Sequence, residues 1–228
     1  MLNLAIECSA SQLVVGLIKN KKLLEQEFVN DGFSHSELLI VKINQILEKN
    51  NYQFNDLDLV TVVNGPASFT ALRVALTVAK IINISLQKTV ITVNKCELLA
   101  YIYKSNLDLL KIVNNKLKLT TIVSAGGAEV FLAKYSIINQ QINIDENLRT
   151  SSIEELLINA EISDNLMLFA DEEIYLKFKT NFSDKLFLIK NDVLSLGLFG
   201  LEKFHHHGAD QEIKPIYLVE PRISKRKS

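Results

Sequence analysis

The chain contains no tryptophan, and only three prolines, eight glycines, two methionines and two cysteines in 228 residues. Cys8 and Cys96 lack the spacing of a zinc site and are too few for a disulfide framework, so both are expected as small core residues in a reducing compartment. Uninterrupted apolar runs of about 18 residues are also missing, and the start, MLNLAIECSAS, has neither a basic n-region nor a long apolar h-region. A cytoplasmic protein without membrane association is therefore expected. Net charge is nearly absent too. With 25 basic and 26 acidic residues it stands at -1, which excludes a global electrostatic pull toward nucleic acid. What remains is an ordinary globular balance, 48% hydrophobic and 22% charged, enough for one large core or two modest ones.

The most informative stretch is residues 59–86, LVTVVNGPASFTALRVALTVAKIINISL. A β-branched run ends at Asn64, a turn follows at Gly65-Pro66, and an apolar segment begins behind Ser68 and Thr70, either of which suits an N-cap. At about 100° per residue, Leu72, Ala75, Ala79, Ile82 and Leu86 fall on one side of the helix and Val74, Val78 and Ile81 on the adjoining side. Only Arg73, Thr77, Lys80 and Asn83 form a polar stripe. So broad an apolar arc asks for burial on two faces. One face is met by the protein's own sheet; the other is met either by a further layer of the same chain or by a partner helix.

The same stretch carries a family resemblance. Gly65-Pro66-Ala67-Ser68-Phe69-Thr70-Ala71-Leu72-Arg73 resembles the GPGSFTGLR signature of the bacterial TsaB family. Alanine replaces two signature glycines, at Ala67 and Ala71, and Ala75 and Ile81 stand where the family usually has glycine. Ile6-Glu7-Cys8-Ser9 is similar to the family's opening IDTS, His35-Ser36-Glu37 to its first helix start, and Pro215-Ile216-Tyr217-Leu218 to a late P-x-Y-[LV].

Read in order, residues 2–7, 12–18 and 22–29 are expected as strands, followed by a helix over 35–50 capped at Ser34. Leu38, Leu39, Ile43, Ile46 and Leu47 share one side of that helix, and Ile40 and Val41 widen its apolar arc. After the strand and helix of residues 59–86 come a strand at 90–93, a helix at 97–103 and a polar connector around 104–119. The pattern then restarts: strands at 120–124, 130–135 and 142–144, a helix after Ser151 or Ser152, a strand at 166–169, a helix near Glu172, a strand at 186–189 and a helix at 193–204. Two mixed α/β lobes related by duplication are expected, 1–104 and 105–228. The TsaB resemblance implies an α/β fold of two ribonuclease-H-like lobes of the actin/Hsp70/sugar-kinase (ASKHA) type.

Chemistry of the kind that fold supports elsewhere needs carboxylates for Mg²⁺ and glycine-rich turns for phosphate. The first hairpin offers only Glu7, more in keeping with a structural carboxylate, and no glycine. The matching second turn, Ser124-Ala125-Gly126-Gly127, has glycines and no acid before Glu129, where the family usually has Asp-Ala-Arg. His205, His206 and His207 are consecutive and point in three directions, so they suit the end of a helix rather than a metal. Ser68 lacks the G-x-S-x-G context of a nucleophile, and Arg73 is expected to find a carboxylate or carbonyl partner. The basic tail at Arg222, Lys225, Arg226 and Lys227 reads as a solvated terminus.

No catalytic, cofactor or metal residues are therefore expected. The resemblance implies a non-catalytic subunit in the formation of tRNA N6-threonylcarbamoyladenosine. Its two long helices would bind a TsaD-type catalytic subunit, with a TsaE-type ATPase in the larger complex and tRNA met only indirectly. The expected interface is Leu39, Ile43, Ile46, Leu72, Val74, Ala75, Val78, Ala79 and Ile81, beside the signature loop Gly65, Pro66, Ser68, Phe69, Thr70 and Arg73. In isolation the same faces are expected to form a homodimer. The alternative is a small-molecule kinase or ATPase of the same superfamily, with Glu7 and Gly126-Gly127 at its phosphates. A peptidase, a third reading, lacks a nucleophile.

Overall fold

A computed structural model describes the chain apart from residues 9–12, 30–34, 68, 110–115, 163–164, 180–184, 191, 211 and 219–228. The order of elements is β1 (Leu2–Glu7), β2 (Leu13–Lys19), β3 (Lys22–Val29), α1 (His35–Lys49), β4 (Leu59–Gly65), α2 (Phe69–Leu86), β5 (Thr89–Asn94) and α3 (Lys95–Leu109). It continues with β6 (Lys116–Gly126), β7 (Glu129–Ile138), β8 (Gln141–Ser152), α4 (Ile153–Ile162), β9 (Leu166–Phe169), α5 (Glu172–Lys179), β10 (Leu186–Leu188) and α6 (Val193–His207).

These strands form two sheets of five, ordered β3-β2-β1-β4-β5 and β10-β9-β6-β7-β8. Read from its other edge, the second repeats the first. Each has two antiparallel hairpin pairings, then two parallel strands added beside the first strand of the set. This is the duplicated ribonuclease-H-like architecture expected above. The parallel strands β1 and β4 are buried almost throughout, apolar residues alternating with Asn3, Thr61 and Glu7, because both faces of their sheet are covered. On one face lie α1, over β2 and β3, and α2, over β4 and β5.

The covering of the opposite face departs from a division of the chain at residue 104. That face is closed by α6, which returns from the second half to touch β1, β2, β4 and β5, while α3 lies over β6 and β7 of the second sheet. Small residues make the return possible. A Cβ on Gly200 would sit 2.2 Å from Thr61 Oγ1, so only glycine lets α6 lie this close to β4. Asn3 locks the register: its amide donates to Gly197 O at 2.9 Å and its Oδ1 accepts from Thr61 Oγ1 at 3.1 Å. Tyr101 of α3 stacks on Phe199 of α6, with ring centroids 4.5 Å apart. One continuous core therefore runs through both sheets, and a smaller one lies under α4 and α5.

Several elements exceed their expected lengths. The connector proposed at 104–119 is taken up at its two ends by α3 and β6, and β8 runs on to Ser152. Much of β8 is exposed, as suits an edge strand of polar sequence. Among the described residues α2 alone is long and apolar enough to span a membrane, and one of its apolar sides packs on β4 and β5.

Candidate functional site

The parallel strands β1, β4 and β5 end on the same side of their sheet, and their ends bring together Glu7, Asn64, Gly65, Asn94 and Lys95. Glu7 and Lys95 are both fully buried and form an ion pair, Nζ to Oε2, at 3.0 Å. A buried carboxylate requires such a partner, because an uncompensated charge there costs several kcal/mol (about 3–5). Lys95 thus sets an ammonium beside Glu7, which also lines the cleft between the lobes. The sequence reads Glu7 as a structural carboxylate; its partner Lys95 was not foreseen, although a lysine directly after β5 marks the strand end level with Glu7.

Cys8 and Cys96 are buried and unbonded to each other, and desolvation raises both thiols, Cys96 to about 12. Burial of this kind works against the thiolate form that a nucleophile needs. Across the cleft, Asp171 accepts from Ser124 N at 2.7 Å, and burial raises its carboxyl pKa above the usual aspartate range. Gly126 and Gly127 are exposed at the β6–β7 turn, with φ of +90° and +66°. Between the lobes an open cleft of about 660 Å³ has Val14, Leu23 and Phe28 on one wall and Leu188, Ile189 and Val193 on the other. Among the described residues no three of His, Cys, Asp and Glu converge as a metal site. His205, His206 and His207 form the last turn of α6, as expected, and Gly208 caps it by donating to Phe204 O.

The signature loop lies at the foot of α2. Gly65 is buried at φ +121°, a backbone open to glycine, and a Cβ there would stand 3.1 Å from Ile216 O. Pro66 is buried, Phe69 is half-buried, and Thr70 and Arg73 are exposed. Thr70 is the second residue of α2 and cannot cap it; Ser68, at the cap position, lies outside the described residues, as do the first-hairpin residues Ser9–Ser11, Ser34, the side chain of His35 and the basic tail. Among the described residues Arg73 meets neither a carboxylate nor a carbonyl. Its Nε donates to Tyr217 Oη at 3.1 Å, and its guanidinium lies 3.8 Å from the Phe69 ring centroid.

The expected interface set divides. Leu39, Ile43, Ile46, Leu72, Ala75, Val78 and Ala79 are buried in the chain's own core, so they are not surface contacts. Val74 is half-buried and Ile81 is 49% exposed. The reason is geometric: the most regular apolar positions of an amphipathic helix are the ones its own sheet takes. The exposed apolar residues of these two adjacent helices are Ile40 and Val41 on α1, and Ile81 and Ile84, the last 77% exposed, on α2. Ile84 was not singled out from the sequence, although it interrupts the polar stripe between Lys80 and Leu86. Sets of this kind mark docking surfaces more often than isolated exposed residues do.

A family model described as TsaD, tRNA N6-adenosine threonylcarbamoyltransferase, matches residues 32–198, more than half the chain. The tRNA threonylcarbamoyladenosine biosynthesis protein TsaB of Buchnera aphidicola subsp. Baizongia pistaciae is 34% identical over 85 residues, 36% of this chain and 37% of that protein. The protein of the same name from Buchnera aphidicola subsp. Acyrthosiphon pisum is 27% identical over 186 residues, 77% of each. This chain thus spans little more than a third of the first relative's length and about three quarters of the second's. Among solved structures, a Pseudomonas aeruginosa protein with similarity to peptidase YeaZ superposes with a TM-score of 0.73. It is 15% identical, over 96% of this chain and 99% of that one, a likeness of fold. With residues 32–198 matched by the TsaD model and both of these relatives bearing the TsaB name, the chain belongs to that family as one of its TsaB members.

Proposed function

We propose that the chain is a non-catalytic subunit in the formation of N6-threonylcarbamoyladenosine in tRNA. It holds a TsaD-type catalytic subunit against the outer faces of α1 and α2. The observation that carries this reading is the exposed apolar set Ile40, Val41, Ile81 and Ile84 on two helices that lie side by side. Burying such residues against a partner returns about 25 cal/mol per Å² of apolar surface, and no charge of α2 other than Arg73 and Lys80 opposes it. The names of the relatives support the pathway, and the match to the TsaD model supports a partner of like fold. The Glu7–Lys95 ion pair supports the non-catalytic role, since it compensates the Glu7 charge without a divalent ion. In the larger assembly a TsaE-type ATPase completes the machinery, and tRNA is met through the catalytic subunit. Alone, the same helices pair with a second copy.

Gel filtration of the chain mixed with the TsaD-type subunit of the same cell tests this. Co-elution is expected, with loss of the complex in the folded Ile81→Asp/Ile84→Asp variant. Two folded proteins eluting apart overturn it.

A further inference from the structure

After α6 the chain doubles back along β5 and β4 to the foot of α2. Its first attachment is firm: Asp210 Oδ2 accepts from Thr92 N and Thr92 Oγ1, both at 2.6 Å, and Ile213 is buried. The second attachment differs in kind. Ile216 N donates to Asn64 O at 2.8 Å and Asn64 Nδ2 reaches Lys214 O at 3.4 Å, but Asn64 Oδ1 is shut in with no hydrogen-bond partner among the described residues. Beyond it, Tyr217 meets Arg73 through its hydroxyl and Phe69 ring to ring at 5.0 Å, all in an exposed setting where such contacts return little. A closed-in acceptor left unpaired costs about as much as these contacts give, and water reaches it as soon as residues 214–218 lift.

We propose that residues 214–218 are a latch over the foot of α2, nearly balanced between open and closed in the free chain, and that the closed form is the one that docks the partner. The latch rests on the docking reading above and adds its regulation. Closed, it sets the exposed Tyr217 beside Phe69 and so adds an aromatic ring to the solvent side of α2 at its first turn. Partner binding then holds the latch shut, because a ligand that prefers one of two states shifts the population toward it. Tyr217 and Arg73 are positioning residues in this scheme.

Amide hydrogen exchange at Ile216 reads the latch without any partner. In the free full-length chain this amide is expected to exchange at least about tenfold faster than the amides of β4. Asn64→Leu removes the unpaired acceptor and is expected to slow Ile216 exchange, although it also deletes a side-chain hydrogen bond. A merely structural contact would loosen under the same substitution. With the TsaD-type subunit bound, Ile216 is expected to slow by about tenfold or more, and Tyr217→Ala to weaken binding by about tenfold with the melting temperature unchanged, Tyr217→Phe falling between. Core-like protection of Ile216 in the free chain, faster exchange in Asn64→Leu, or undiminished affinity in Tyr217→Ala overturns the latch. Absence of any complex with wild-type chain overturns the docking reading instead, and the free-chain exchange still decides whether the latch opens.

Discussion

The helices over the first sheet and those over the outer face of the second hold equivalent places in a repeated topology, yet their solvent sides differ. Helix α2 carries two charged residues in eighteen and exposes Ile81 and Ile84; α5 carries four charged residues in eight, around a lone exposed Leu176. The strand ends differ likewise. In the first lobe Glu7 is sealed against Lys95, whereas in the second the β6–β7 turn leaves Gly126 and Gly127 in solvent. Duplication preserved the hydrogen-bonding scheme of the sheets, which tolerates no slip, and left free what faces away from them.

The largest effect should follow from opening the sealed end. Glu7→Ala or Lys95→Ala strands a buried charge and is expected to cost about 3–5 kcal/mol, or roughly 6–20 °C in melting temperature for a chain of this size. Replacing both with apolar residues of similar size, Glu7→Leu/Lys95→Met, should recover most of that loss, and a double variant as unstable as the single ones would give the pair a role beyond charge compensation. Next come the glycines. Gly200→Ala drives a Cβ into Thr61 and is expected to cost about 1–3 kcal/mol in a denaturant melt. Gly126→Ala, where the Cβ meets open space but φ is +90°, should cost about 1 kcal/mol. Equal losses would mean that α6 does not depend on close approach.

At the surface, Ile81→Asp/Ile84→Asp should leave stability within about 0.5 kcal/mol and weaken partner binding at least about tenfold, whereas Ile158→Asp on α4 should change neither. Titration calorimetry with the TsaD-type subunit separates the two lobes on this point. The smallest effect is on pH. Burial raises Asp171, so the unfolded chain loses that proton first, and stability falls as pH rises between the ordinary aspartate value and the raised one. Asp171→Asn should remove that slope. Glu27 and Glu146 work in the opposite sense: hydrogen bonds from Lys49 and Lys42, and from Lys134 and Arg149, lower them. Their contribution is present above the usual glutamate value and is lost as pH falls through the lowered one.

The order of elements and the duplicated fold were legible because alternation and helical spacing are local properties, and the turns at Gly65-Pro66 and Gly126-Gly127 punctuate them. The destination of α6 was not. Periodicity says that Leu196 and Phe199 share a face with Val193, but not which of two sheets that face will meet; the clue was Gly197 and Gly200, one turn apart. The site was legible in outline only. Glu7 reads as a structural carboxylate, yet Lys95 lies 88 residues away in sequence and only tertiary structure joins them. For the proposed docking face, periodicity favoured residues of α1 and α2 that the chain's own sheet consumes. Ile84 and Ile40, which break the polar side, are the ones left exposed.

The return of α6 has a consequence for how the molecule is made. By Asn94 the first sheet has all five of its strands, but its rear face lacks a cover until residues 193–207 have left the ribosome. A nascent chain must therefore carry Leu59, Val63 and their neighbours on that face through synthesis with one wall missing, and the first half matures only after the second has been translated.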